Sequence, residues 1–265
     1  MVYLSSFHLS STKVRDPHLY PYHVFQQYEE YAMVFDRITV LYGDNASGKS
    51  TILNIIANAL SVNGKESVNN PYFRKFVQEC KHNFGDDEEG YTYKRLPEHS
   101  RYIKSEDVMY EIKKIQQESI LKEGYLYEHA LRGYTKEQRE TLKDSTKMYK
   151  QIEILKFAQE KYSNGETTIQ ILMDTLQPDG FYLLDEPEVS LSPSNQVILA
   201  EEINKLARYL DCQFIIATHS PFMLGTLGGK IYNLDSKEME VAKWTELNNV
   251  RYYYEFFKNH EKEFY

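Results

Sequence analysis

The sequence predicts an α/β fold in which a largely parallel sheet is flanked by helices. Short apolar runs at residues 38–42, 181–184 and 213–218 have the composition of buried strands, and they alternate with helical segments at 51–60 and 194–210. Strands that alternate with helices favour parallel pairing, because each crossover helix covers one face of the sheet. A glycine-rich loop that joins the first strand to its helix is the third observation behind this prediction.

The glycine-rich loop has the sequence GDNASGKS at residues 43–50, a full match to the pattern G-x-x-x-x-G-K-[ST]. Between a strand and a helix, such a loop turns successive backbone N–H groups around a phosphate chain. Lys49 is then expected to reach the β- and γ-phosphates, and the Ser50 hydroxyl to ligate Mg²⁺. A chance match in a turn would leave the flanking strand and helix unexplained. The loop therefore predicts binding of a nucleoside triphosphate.

Size and composition limit the classes of protein. A chain of 265 residues can form one large α/β domain or two small ones. The net charge of −8 disfavours tight non-specific binding to nucleic acid. No apolar run is long enough for a membrane span and no signal-peptide pattern opens the sequence. Cys80 and Cys212 are expected to be free thiols in a reducing compartment, so the predicted location is cytoplasmic.

The α/β pattern is interrupted in the middle of the chain. Residues 1–61 and 161–265 carry the strand-and-helix alternation, whereas residues 62–160 are dominated by polar loops and charged helical patterns. Thr135 and Gln138 have the spacing of a capping box at the start of one such helix. We therefore expect an inserted helical subdomain at about 62–160 within a sheet domain.

A second motif lies where the strand at 181–184 runs into Asp185 and Glu186. Ligands of parallel sheets bind at the carboxyl ends of the strands, so both carboxylates are expected at that edge. Asp185 suits Mg²⁺ coordination, and Glu186 suits polarisation of a water that attacks the γ-phosphate. The third motif is His219, which follows the strand at 213–218 and is expected at the same edge. An imidazole there can contact the γ-phosphate and the water.

The fourth motif is Ser-x-Gly-Glu at residues 163–166, at the start of a predicted helix. Ser163 can cap that helix, and the first turn after it is a possible anion site. A plain N-cap is the simpler interpretation of this motif when it is taken alone.

In their order along the chain, which is the phosphate loop, Ser-x-Gly-Glu, the Asp-Glu strand end and then His219, the four motifs resemble the ATP-binding cassette (ABC) class of ATPases over nearly the whole chain. The run at 185–193 is similar to the RecF/SMC-like branch, because transporter cassettes usually carry an Asp where Ser192 stands. The run at 213–221 is similar to small stand-alone bacterial ATPases of that branch, whose relatives act in DNA repair and anti-phage defence. The resemblance implies a P-loop NTPase fold with a mixed, mostly parallel ABC-type sheet and an inserted helical subdomain.

The resemblance also implies roles for individual residues. Glu186 would be the catalytic base, His219 the switch, and Asp185 would hold Mg²⁺ together with Ser50. Ser163 and Gly165 would contact the ATP of a second subunit, which implies an ATP-sandwiched homodimer with two-fold symmetry. The residues expected to hold ATP on the first subunit are Gly43, Asn45, Ala46, Ser47, Gly48, Lys49, Ser50 and Thr51, with Lys49 also in a catalytic role.

The chain departs from the family pattern at two points. The family's glutamine-bearing loop, which senses Mg²⁺ and the attacking water, has no convincing match. Ser105 or Glu106 stands at about the expected place, and Gln78 is an alternative inside a predicted helix. In addition, no long heptad region is present, so the coiled coils of SMC proteins are not expected.

These observations leave two main functions open. The first is an ATPase whose homodimer closes on ATP and reopens on hydrolysis. The alternative is an ATP-gated regulatory module with little turnover that controls a partner nuclease or toxin. A transporter nucleotide-binding subunit is disfavoured by the turn at Ser192 and Pro193, and DNA binding is a family expectation that the acidic balance disfavours.

The aromatic run at residues 251–257 has two interpretations. We expect a terminal helix that packs its aromatic face on the sheet domain, and a surface that docks a partner is the alternative.

Overall fold

The computed structural model describes residues 1–16, 18–25, 28, 32–107, 125–126, 129, 134–143, 145–146, 148, 165–236 and 238–265. The chain forms two compact units, of which the larger contains Met1–Ser105 with Thr175–Tyr265 and the smaller contains Glu106–Asp174. None of the helices in these described ranges is both long and apolar enough to cross a membrane.

Within the described ranges, the strands all lie in the larger unit. They are β1 (Leu4–His8), β2 (Ala32–Val34), β3 (Ile38–Tyr42), β4 (Lys81–Phe84), β5 (Arg101–Lys104), β6 (Phe181–Asp185), β7 (Gln213–Ala217), β8 (Lys230–Asn233) and β9 (Glu240–Val241). The helices are α1 (Tyr22–Phe25), α2 (Lys49–Ala59), α3 (Pro71–Glu79), α4 (Lys136–Leu142), α5 (Gly165–Thr175), α6 (Pro193–Tyr209), α7 (Pro221–Thr226) and α8 (Asn248–Asn259). Of these, α4 lies in the smaller unit and α5 ends at its border.

The larger sheet has the strand order β5-β6-β7-β3-β8-β9, and all of its pairs are parallel except β8 with β9. Every residue of β3, β6 and β7 is buried, as their mostly apolar sequences predict for strands covered on both faces. Helix α2 packs its apolar residues into the same core. The predicted fold class, a P-loop NTPase with a mixed, mostly parallel sheet flanked by helices, is confirmed.

The register of this sheet determines where the motifs meet. Ala217 pairs with Asp185 on one side and with Leu41 on the other. The loops that follow β3, β6 and β7 therefore begin at the same level of the sheet. This edge is the position at which ligands of parallel sheets bind.

The smaller sheet has the order β2-β1-β4 and is antiparallel. Its strand β1 contributes Leu4 and Phe7 to the core shared with α2, and both side chains are fully buried. Gln213 joins the two sheets, because its side-chain amide accepts hydrogen bonds from the amides of Tyr3 and Leu4 and donates to the Leu4 carbonyl.

Residues 62–105 differ from the expectation of an inserted helical subdomain, since they belong to the larger unit. Strand β4 pairs with β1, and β5 pairs with β6. Strand β4 is half-exposed and polar, and both strands are only four residues long, so neither gives a long apolar run. That the later part of 62–160 is a helical insertion stays a prediction, because most of it lies outside the described residues. The capping box before α4 is present: the Thr135 amide donates to Gln138 Oε1 (2.9 Å) and the Gln138 amide to Thr135 Oγ1 (3.3 Å).

The C-terminal helix α8 is amphipathic, but it does not pack as expected. Its aromatic side chains are exposed to between 47% and 70%, and within the helix only Val250 is buried. The prediction that its aromatic face covers the sheet domain is therefore wrong for the structure described. The many aromatic residues of this run indicated apolar side chains but not whether they have a partner.

Candidate active site

The phosphate-binding loop follows β3 and ends at the first turn of α2. Ala46 and Gly48 have φ angles of 68° and 96°, which turn the backbone back on itself. A Cβ built on Gly43 would lie 2.5 Å from Ser47 Oγ, so only glycine fits at that turn. Gly48 is the N-cap of α2 and supplies no side-chain cap. The first N–H groups of α2 are therefore oriented for an anion at the helix N-terminus.

The Lys49 ammonium lies over this loop, where its Nζ donates to the carbonyl oxygens of Gly43 (2.6 Å) and Asp44 (3.0 Å). The residue is only 5% exposed, and in the described part of the chain it forms no ion pair. Burying a charge without an opposite charge is unfavourable. A phosphate chain would supply that charge, so the loop fits the triphosphate that its sequence predicts.

Asp185 lies at the end of β6 with both carboxylate oxygens hydrogen-bonded. Ser50 Oγ donates to Asp185 Oδ1 (3.0 Å), and the Tyr102 hydroxyl donates to Asp185 Oδ2 (3.0 Å). Burial raises the pKa of Asp185, and the two hydroxyl donors oppose that rise. A divalent cation beside this buried carboxylate would favour its charged form.

The donor chemistry fits magnesium. The described residues contain no group of three or more His, Cys, Asp or Glu side chains that could hold a metal alone. A hydroxyl and one carboxylate are instead what a Mg²⁺ site uses when phosphates and water complete the coordination. Ser50 and Asp185 would thus hold the ion together with bound nucleotide.

Glu186 and His219 form a second pair beside Asp185. Glu186 Oε1 lies 3.3 Å from His219 Nδ1, and the two side chains are 29% and 49% exposed. The Glu186 amide donates to the Ala217 carbonyl (2.9 Å), which fixes the start of one loop against the end of β7. Glu186 also has a φ of 46°, which is uncommon for a residue with a side chain. Strained backbone of this kind is concentrated at functional sites.

The backbone around His219 is held by side chains from three other segments. The Thr218 hydroxyl donates to Glu188, and Thr218 Oγ1 in turn accepts from the Ser220 amide. The Ser220 hydroxyl donates to the side chain of Gln196 on α6 (2.5 Å). The Asn249 side chain, in the first turn of α8, donates to the His219 carbonyl. Burial raises the pKa of Glu188, which the Thr218 hydrogen bond opposes. These contacts fix the loop and leave the imidazole ring exposed.

Three buried side-chain oxygens in the described part of the chain have no hydrogen-bond partner, and all three belong to this edge. They are Ser47 Oγ, Glu188 Oε2 and Asn249 Oδ1. Unpaired buried oxygens are rare in folded proteins. A cleft of about 730 Å³ is lined by two of these residues, Glu188 and Asn249, and among others by Asp44, Asn45, Val189, His219, Phe222 and Tyr253. The unpaired oxygens of Glu188 and Asn249 would therefore be available as hydrogen-bond acceptors for a ligand bound there.

Most of the predicted site residues meet at this edge. The phosphate loop with Lys49, Ser50 and Thr51 is followed by Asp185, Glu186 and His219 on neighbouring strands. Ser163 lies outside the described residues. Gly165 begins α5 in the smaller unit, so the predicted role of this motif stays a prediction.

The remaining candidates lie on β5 and α3. Ser105 follows β5 directly, and Lys104 before it pairs with Asp185, so the position of the missing glutamine is next to the carboxylate. Gln78 lies within α3, as the sequence predicted.

Sequence reasoning missed three residues of the site. The Tyr102 hydroxyl donates a hydrogen bond to Asp185, and Glu188 accepts one from Thr218. The Asn249 side chain donates to the His219 carbonyl. Glu188 could have been found, because it is a charged residue in the Asp-Glu-Pro run. Tyr102 and Asn249 carry no sequence signal, since only the fold brings them to the site.

Residues 74–225, more than half of the chain, match the family described as "AAA domain, putative AbiEii toxin, Type IV TA system". The match includes Asp185, Glu186 and His219 and begins after the phosphate loop. No curated protein sequence matches the chain significantly.

The chain is also similar to several solved structures. The SMC head domain of Pyrococcus furiosus with an extended coiled coil, bound to the C-terminal domain of ScpA, has 14% identity and a TM-score of 0.47, with 88% of this chain and 93% of that chain covered. The SMC head domain of Thermotoga maritima has 12% identity, coverage of 87% and 94%, and a TM-score of 0.41. CbiO1 of Clostridium perfringens, part of the ABC transporter complex cbiONQ, has 14% identity, coverage of 97% and 95%, and a TM-score of 0.44. The fold assignment rests on the strand order and on the loop after β3.

Proposed function

The chain belongs to this family of AAA domains, and on that premise we propose that it binds ATP with Mg²⁺ and hydrolyses it to ADP and phosphate. The observation that carries the proposal is the arrangement at one sheet edge. The buried Asp185 carboxylate, hydrogen-bonded to the exposed Ser50 hydroxyl and suited to Mg²⁺, lies directly beside the half-buried Glu186 and the exposed His219, a pair suited to a reacting water.

Binding depends on the loop at residues 43–50 and on Lys49. The N–H groups at the start of α2 and the Lys49 ammonium would surround the β- and γ-phosphates. Mg²⁺ at Ser50 and Asp185 would offset the charge of the phosphate oxygens as the bond breaks. The hydrogen bonds that hold Asp185 and the His219 carbonyl would leave little reorganisation for the reaction itself.

Hydrolysis depends on Glu186. Its carboxylate would accept a proton from water while the water oxygen bonds to the γ-phosphorus and the bond from phosphorus to the bridging oxygen breaks. His219, 3.3 Å from Glu186, would orient that water and donate a hydrogen bond to a γ-phosphate oxygen. Both side chains are partly exposed to solvent, so a water has access to both.

A homodimer completes the proposal. Ser163 and Gly165 of a second subunit would contact the γ-phosphate, as the sequence resemblance implies, and hydrolysis would release the second subunit. Because each subunit would supply half of two sites, the assembly would have two-fold symmetry. ATP binding would then be read out as a change in oligomeric state.

The family description favours a second candidate, in which ATP gates a partner protein and turnover is slow. That description names a toxin of a type IV system, and the exposed aromatic residues of α8 give a partner a surface to contact. Rapid ATP hydrolysis by the isolated chain would contradict this candidate, and ATP-dependent capture of one co-purifying protein at negligible turnover would support it.

ATP hydrolysis by the purified chain tests the proposal. Phosphate release is expected with Mg²⁺ and ATP, and Lys49→Ala should lower its rate about 10²- to 10³-fold by removing the buried cation from the loop. The matched control is Lys65→Ala, an exposed lysine in the loop after α2, which should hydrolyse ATP at the wild-type rate. Equal rates for both variants would contradict the proposed role of Lys49 in holding the phosphates.

A further inference from the structure

Tyr102 is a buried polar residue of the site that no motif accounts for. It lies on β5, is 2% exposed, and pairs in register with Leu183 of β6. Alternate residues of a strand point to the same face, so Leu183 and Asp185 share one face of β6. The Tyr102 ring extends along this face and places its hydroxyl at Asp185 Oδ2.

The carboxylate of Asp185 is thereby held from two sides. Ser50 at the start of α2 contacts Oδ1, and Tyr102 contacts Oδ2, both at 3.0 Å. With a donor on each oxygen, the carboxylate plane has one preferred orientation. Oδ1 faces the Ser50 hydroxyl, so the two oxygens that suit Mg²⁺, Asp185 Oδ1 and Ser50 Oγ, lie side by side.

We propose that Tyr102 is a positioning residue for the Mg²⁺ site: its hydroxyl orients Asp185 so that Oδ1 is presented to the metal beside Ser50 Oγ. The inference rests on the proposed function, in which Ser50 and Asp185 hold Mg²⁺. Hydrogen bonds to a metal-binding carboxylate orient it and tune its affinity for the ion. The residue acts from β5, the strand that leads to the position where this chain lacks the family's glutamine.

Tyr102→Phe tests the inference, because it removes one oxygen and keeps the buried ring. Mn²⁺ replaces Mg²⁺ as the probe, and its dissociation constant is measured by electron paramagnetic resonance with a non-hydrolysable ATP analogue present. The expected result is a Kd for Mn²⁺ that rises about 10- to 100-fold. The affinity for the analogue without metal should stay at the wild-type value.

Tyr182→Phe is the matched control. Tyr182 is buried on the neighbouring strand β6, and its hydroxyl bonds to the backbone of Gln177, before the start of that strand. This variant also loses a buried hydroxyl, so thermal unfolding of the two variants separates a general loss of stability from a loss of metal affinity. Only Tyr102→Phe should change the Kd for Mn²⁺.

Asp185→Asn separates failure of the inference from failure of the proposed function. If Asp185→Asn loses Mn²⁺ and Tyr102→Phe binds it as tightly as the wild type, the positioning role is wrong and the metal site stands. If Asp185→Asn keeps wild-type affinity, the metal site itself is wrong and the inference falls with it. A rise in Kd with Tyr182→Phe equal to that with Tyr102→Phe would also overturn the inference.

Discussion

Asp185 and Glu186 are neighbours in the sequence, yet their surroundings are opposite. Asp185 is 8% exposed, and its two oxygens accept hydrogen bonds from the buried Tyr102 and from Ser50 at the start of α2. The Glu186 side chain is 29% exposed and contacts an imidazole that is itself 49% exposed. The comparison teaches that packing holds the side chain of Asp185, which would bind metal. For Glu186, which would accept a proton, only the backbone is held in place.

The backbone explains how adjacent residues reach such different places. Asp185 still belongs to β6 and pairs with Ala217, whereas Glu186 leaves the strand with a φ of 46°. The hydrogen bond from the Glu186 amide to the Ala217 carbonyl holds that turn. A single change of backbone direction thus separates the buried Asp185 carboxylate from the more accessible Glu186 carboxylate.

The largest expected effect on the binding half is that of Lys49→Ala. Loss of one preorganised donor to the phosphates is expected to lower kcat about 10²- to 10³-fold. Steady-state phosphate release at saturating ATP measures it, beside the control Lys65→Ala. A kcat within about twofold of the wild type would contradict the assigned role of Lys49.

Gly48→Ala tests whether the loop backbone is fixed. A Cβ there would lie 2.9 Å from Val24 at a φ of 96°, so both the conformation and the space disfavour alanine. The matched control is Gly90→Ala, which has a φ of 84° and nothing within 4 Å. Both variants should lose about 1 kcal/mol of unfolding free energy in denaturant titrations, and only Gly48→Ala should lose ATP affinity. If Gly48→Ala and Gly90→Ala bind ATP equally tightly, the phosphate-binding loop tolerates rearrangement.

Glu188→Gln tests how the His219 loop is held. Since burial raises the pKa of Glu188 in the folded state, its contribution to stability is present below the unfolded pKa of about 4.3 and decreases as the pH rises through the folded pKa. Glutamine keeps an acceptor for Thr218 and does not ionise. The variant should therefore gain unfolding free energy relative to the wild type between pH 4 and pH 7.

Glu240→Gln on the exposed strand β9 is the control for that pH dependence, because its difference from the wild type should not change over the same range. If Glu188→Gln behaves like Glu240→Gln, Glu188 is charged in the folded protein and its buried environment has been misassigned.

The smallest expected effect is that of Asn249→Ala. The substitution removes one hydrogen-bond donor to the His219 carbonyl. The loss of one net hydrogen bond is expected to lower kcat about 2- to 10-fold. Asn248→Ala, the exposed neighbour in the same first turn of α8, is the control. A larger loss with Asn248→Ala would show that the helix start matters and the contact does not.

The sequence was sufficient for the fold and for the residues that motifs define. Apolar strands at 38–42, 181–184 and 213–218 predicted the buried sheet, because a strand buried on both faces needs an apolar run. Strand β4 was missed because its exposure alternates, and β5 because it is only four residues long.

The contacts of the site were predictable only in part. Lys49, Ser50 and Asp185 follow from the spacing of a known loop and a strand end. Tyr102 and Asn249 reach the site through strand pairing and through the position of α8, which no local pattern encodes. The exposure of the aromatic residues of α8 also depends on tertiary packing, so the aromatic content of the run alone predicted the wrong environment.

ATP turnover and oligomeric state of Glu186→Gln, measured together, test the central claim most directly. The amide keeps the size of the side chain but cannot accept the proton, so turnover should fall about 10²- to 10⁴-fold. ATP should still bind, and light scattering after gel filtration should show a dimer with ATP and a monomer without it. Wild-type turnover in this variant would contradict Glu186 as the base, and a monomer in saturating ATP would contradict the ATP-sandwiched dimer.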